Sequence, residues 1–139
     1  MKNFIIFLKI LSPAFILVGV LHLVFGVAGE VMLGAKLTDA ALQEPVLDSQ
    51  NRFYGIAFSL YGVLFYLSAT DISRYHLVLR CVLWVFFLAG CARFVSIYTH
   101  GLPSNLVLGL LAAEILLPPI VLLWLNKVRN SAWRMEEKP

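Results

Sequence analysis

Glu114 stands alone as a carboxylate in a long apolar run, and Arg93 is a guanidinium in the apolar run before it. An ionisable group placed in hydrocarbon is costly and marks a functional site by default. Glu114 can avoid standing as a bare charge by taking a proton, by pairing with Arg93, or by facing a cavity that holds water or a ligand. The two residues therefore suit a structural clamp that fixes helix register, the polar base of a binding pocket, or a proton-coupled or catalytic relay. His22, Glu30, Arg52, Tyr54 and Tyr98 are the further polar side chains within reach of the same region. Metal or haem chemistry is not expected, because His22, His76 and His100 fall at three different depths and no metal-binding, phosphate-cradling or nucleophile-elbow motif is present. Cys81 and Cys91 lie ten residues apart on one helix, about 15 Å along its axis, and read as small apolar fillers. No catalytic residue, metal ligand or cofactor is assigned.

The elements that must position these groups follow from composition. The chain has 139 residues, 60% hydrophobic and 14% charged, with a mean hydropathy of +0.86. A soluble globule so small cannot hide that much apolar surface, so the fold class is an all-α membrane protein. A span needs roughly 20 apolar residues, and four stretches qualify, at about 4–29, 52–70, 76–98 and 104–128. An outer loop covers 30–51, and 129–139 forms a tail in which Trp133 suits the headgroup zone. Within the loop, Leu37 to Leu42 can form a short helix that Pro45 ends. Tight connections make the helices antiparallel neighbours, giving one up-down-up-down four-helix transmembrane domain.

Eight of the 11 Lys and Arg residues fall on the side that carries the two termini, which places both termini in the cytoplasm. The net charge of +3 then reads as topology and contact with anionic lipid headgroups, with no nucleic-acid partner. Helix one carries Ser12, Phe15, Gly19, His22, Gly26 and Gly29, and helix two Arg52, Gly55, Ser59, Gly62, Tyr66 and Ala69, each spaced three and four alternately and drawing the seam of a bundle. His22, Arg52 and Arg93 ride on such stripes and are expected to face inward. Counting along the spans puts Glu114 near the midplane and His22 and Arg93 about 7–9 Å toward the outer side. Pro118 and Pro119 remove the backbone donors for the carbonyls of Glu114 and Ile115, so a kink is expected where the carboxylate sits.

Four local patterns carry a family resemblance: Arg52-Phe53-Tyr54-Gly55 opening helix two, Ala92-Arg93-Phe94-Val95-Ser96 ending helix three, His100-Gly101-Leu102-Pro103 in the turn, and Glu114 followed by Pro118. With these the chain resembles, over nearly its whole length, a family of small bacterial membrane proteins catalogued as a domain of unknown function and related to the DoxX-like four-helix proteins. The resemblance implies an inner-membrane fold with Arg52, Tyr54, Arg93 and Glu114 at motif positions. It also implies links to envelope integrity, drug (antibiotic) tolerance and, in the wider group, accessory roles in quinone-coupled oxidation. The expected function is a non-enzymatic inner-membrane protein of envelope homeostasis that holds a lipid or other amphipathic molecule. Arg52 or Arg93 would meet an anionic headgroup, and Phe53, Tyr54 and Tyr61 its apolar part. The alternatives are a small proton-coupled exporter of hydrophobic compounds and an accessory redox subunit. Membrane lipids are expected partners, and Phe65, Phe86 and Phe87 are expected on the surface, facing lipid or a second protomer.

Overall fold

The structure is a computed structural model that describes residues 1–136, with side chains described through 130. Six helices follow one another: α1 (Lys2–Phe25), α2 (Ala28–Met32), α3 (Asp39–Leu42), α4 (Pro45–Thr70), α5 (Ile72–His100) and α6 (Asn105–Glu136). No strand occurs among the described residues. The four long helices are each long and apolar enough to cross a membrane. Their most apolar stretches are only 22–28% buried within the protein, so most of each apolar surface is left for lipid. The three residues after Glu136 lie outside the described part, as does the side chain of Trp133.

Local chemistry sets the breaks. Gly26 ends α1 with φ of 55° while its N–H reaches the carbonyl of His22 at 2.8 Å. Asp71 is the whole connection between α4 and α5, and its carboxylate caps α5 by accepting from the Arg74 N–H at 3.0 Å. Gly101, at φ of 89°, ends α5. Pro45 behaves differently from the sequence expectation. It opens α4 instead of closing the short helix before it, and the Glu44 carboxylate caps that turn by accepting from Val46 N–H at 3.3 Å. Proline suits a first helical position because no partner is needed there for its missing N–H. The second long helix therefore begins at Pro45 rather than near 52, and the connection it shortens contains α2 and α3. At the other end, α6 carries on through residues 129–136, which were expected as a tail.

Packing divides the molecule into two ends. A dry core joins the first turns of α1 (Phe4, Leu8), the last turns of α4 (Phe65, Ala69), the first half of α5 (Leu79, Leu83) and the later part of α6 (Val121, Leu125). The Phe4 and Trp124 rings meet edge to face at 5.0 Å there. Phe65, expected on the lipid-facing surface, is fully buried in this core. Toward the opposite end, α1 and α4 stay in contact through glycine. A Cβ on Gly55 would lie 2.6 Å from the Gly19 carbonyl oxygen, and one on Gly62 would lie 2.7 Å from the Ser12 carbonyl oxygen. Only glycine allows this backbone-to-backbone approach, the usual basis of helix association where lipid removes the hydrophobic drive. α5 and α6 form the second close pair, and between the two pairs, away from the core, space remains.

Candidate functional site

Gly90 places Glu114. A Cβ on Gly90 would come 2.8 Å from the Glu114 Cβ, so the absent side chain is what lets α6 press its carboxylate-bearing turn against α5. Arg93, one turn further along α5, then reaches the carboxylate with two donors. Its Nε donates to Oε2 at 2.6 Å and an Nη to Oε1 at 2.9 Å. This fork geometry is the strongest form of the contact. The Glu114 side chain is 5% exposed and that of Arg93 36%. The carboxylate is thus enclosed and satisfied, while the guanidinium carries further N–H donors that the pairing does not use.

His22 on α1 is also buried. Its Nδ1 lies 2.9 Å from the Val18 carbonyl oxygen, which can only accept, so this nitrogen carries the proton. Its Nε2 faces Glu30 of α2 at 3.4 Å, and its ring stacks on Phe58 with centroids 6.4 Å apart. With Nδ1 donating to the carbonyl, an Nε2–Glu30 hydrogen bond requires one more proton on the pair, either on the imidazole or on the carboxyl group.

These groups line one cavity of about 640 Å³ in the non-core half of the bundle. Its polar wall is His22, Glu30, Tyr54, Arg93 and Glu114, contributed by all four long helices and by α2. Its aromatic floor is Phe15, Phe58 and Phe86, with the Phe15 and Phe86 rings 5.2 Å apart. Phe15 also touches the core residue Phe65 at 5.1 Å, so the floor rests directly on the dry end. Leu106, Val107 and Leu110 of α6 and Leu33 after α2 complete the enclosure near the loop end. There the Ser104 hydroxyl donates to the Leu33 carbonyl at 3.4 Å, tying the loop over the start of α6. The volume lies within the range of small-molecule sites, about 300–1,000 Å³.

Two expected members of the polar cluster are elsewhere. Tyr98 is 92% exposed, because five residues beyond Arg93 turn it about 140° around α5. Arg52 is occupied in holding the end of α1. It donates to the carbonyls of Leu23 and Val24 at 2.7 and 3.1 Å and to Asp48 at 2.7 Å. Asp48 in turn accepts from the Val27 N–H at 3.2 Å. The i, i+4 spacing of Asp48 and Arg52 was the available signal for this pair. Phe53 points outward, and the aromatic surface expected from Phe53 and Tyr61 is supplied by Phe15, Phe58 and Phe86. Pro118 is fully buried below the cavity, and α6 is helical through both Pro118 and Pro119. With Trp84 and Phe87 these prolines border a separate niche of about 100 Å³ that has no polar lining residue. Among the described residues no group of three or more His, Cys, Asp or Glu side chains is placed to hold a metal ion.

A bundle of four apolar helices around a buried arginine–carboxylate pair defines a small multi-span helical membrane protein. A family model, Domain of unknown function (DUF4345), matches residues 4–125. The chain belongs to this family. No curated protein and no solved structure matches it.

Proposed function

We propose that this chain is a non-enzymatic protein of the bacterial inner membrane that holds a lipid-like amphipathic molecule in the cavity above Glu114 and so contributes to envelope integrity. The observation that supports this reading most directly is the cavity itself, a space of about 640 Å³ with a polar wall at one level and an aromatic floor at another. An amphipath has the same division, with its head at Arg93, His22 and Tyr54 and its chain over Phe15 and Phe86. In this reading consecutive long helices run antiparallel, both termini lie in the cytoplasm, and the cavity occupies the outer half of the membrane. Kinship with the DoxX-like four-helix proteins belongs to the same reading. The exporter alternative is weakened by the bidentate Arg93 contact, because a carboxylate already matched by a guanidinium is a poor site for a cationic substrate.

Native mass spectrometry of the full chain, gently extracted from its own membranes, tests the proposal. A co-purifying lipid-sized mass is expected, and it should be lost or reduced by Ala14→Phe, which adds bulk at a residue that lines the cavity beside Phe15. Ligand-free spectra from several mild detergents, together with unchanged envelope permeability in a deletion strain, would contradict the reading.

A further inference from the structure

We propose that the occupant has an uncharged head rich in hydrogen-bond acceptors on a single hydrocarbon chain, the chemistry of a monoacylglycerol; this rests on the ligand-holding reading above. A charge balance over the cavity wall supports this. Arg93 is matched by Glu114 through two hydrogen bonds. Arg52, the other nearby cation, is taken up by Asp48 and two backbone carbonyls and does not line the cavity. His22 faces the carboxylate of Glu30. No uncompensated cation is left among the lining residues, so an anionic head would give up its hydration without gaining a counter-charge.

A cationic head fares no better at depth. Both oxygens of Glu114 accept from Arg93, and Glu30, 40% exposed at the mouth, is the remaining carboxylate on the wall. What the wall does offer is donors: the unused N–H groups of Arg93 and the hydroxyl of Tyr54. Neither group is fully buried, and an ester carbonyl or carbinol oxygen that reaches them accepts a hydrogen bond without adding charge. Size suits one chain, since about 640 Å³ lies within the range of small-molecule sites, about 300–1,000 Å³.

The test compares three probes with the same sixteen-carbon tail on the full chain in nanodiscs: 1-monopalmitoylglycerol, palmitate and hexadecyltrimethylammonium. The monoacylglycerol is expected to bind about tenfold more tightly than either ion. Glu114→Gln, which leaves Arg93 without its counter-charge, is expected to move the ranking toward palmitate. Equal or tighter binding of either ion to the native chain overturns the neutral-head assignment and leaves the ligand-holding reading intact. Failure of all three to bind overturns both. A folded Glu114→Gln variant with an unchanged ranking also overturns the charge-balance argument. If that variant does not fold, the native ranking decides.

Discussion

Glu114 is held as a buried group by geometry on both sides of it: Gly90 makes room for its stem, and Arg93 supplies two parallel donors to its oxygens. Removing one partner of a buried pair typically costs about 3–5 kcal/mol. The two partners are unequal here, because Arg93 is a third exposed and Glu114 is enclosed. Arg93→Ala should therefore destabilise the protein by the lower part of that range, and Glu114→Gln by distinctly less, since the freed guanidinium, already a third exposed, can turn toward the cavity. Thermal unfolding in a single detergent reads the difference, and equal losses would contradict the asymmetry. At this scale the sequence was informative where a charge stood alone in a long apolar run, as at Arg93 and Glu114. It was misleading where several polar residues crowd a helix end. Arg52 and Tyr98 both looked available, yet one serves the α1 end and the other points outward. Depth along a helix can be counted from sequence, whereas competition between partners depends on a neighbour that only the packed structure supplies.

At the scale of elements, two joints set the shape of the cavity. The first is the α1–α4 seam, where Gly19 and Gly55 bring backbones together. Gly55→Val has no flexible side chain to displace, so it should separate the helices and lower stability by about 1–3 kcal/mol or more, the range for overpacking. Retention of native melting would contradict a seam of this kind. The second joint is the α1–α2 corner. Gly26 has positive φ, and a Cβ there would collide with the Asp48 carboxylate, which accepts from Val27 while Arg52 grips the last carbonyls of α1. Arg52→Ala should loosen this corner locally. Hydrogen exchange should rise in residues 23–33, which carry Glu30 and Leu33, while the core turns around Leu79 and Leu125 keep their protection. A uniform rise throughout the chain would mean that Arg52 supports the whole fold instead. The glycine stripes were legible in the sequence because their spacing is a property of the helix alone. The start of α4 was not, because residues 45–51 are polar and hydropathy marks the apolar part of a helix, not its first turn.

The whole molecule is a bundle filled at one end and hollow at the other. Core side chains from all four long helices meet around Leu79, Leu83 and Leu125, and the aromatic layer of Phe15, Phe58 and Phe86 separates that core from the cavity. The four spans and their membrane character could be read from composition, but a cavity is a missing volume and leaves no mark in a sequence. Phe86 shows the limit well: hydropathy cannot distinguish a ring that faces lipid from one that floors an internal space. In the proposed orientation, drawn from the charge distribution, the hollow end faces outside, and this is directly checkable. In a cysteine-free background, Lys36→Cys should react with a membrane-impermeant maleimide in intact cells, and Lys127→Cys only after permeabilisation; the reverse pattern would invert the topology.

A cryo-EM map of the protein in lipid nanodiscs prepared from its native membrane tests most directly whether the hollow end is a ligand site. Elongated density should lie over Phe15 and Phe86 and end within hydrogen-bond distance of the Arg93 guanidinium. A cavity closed by its own side chains, or occupied by ordered water alone, would contradict the account.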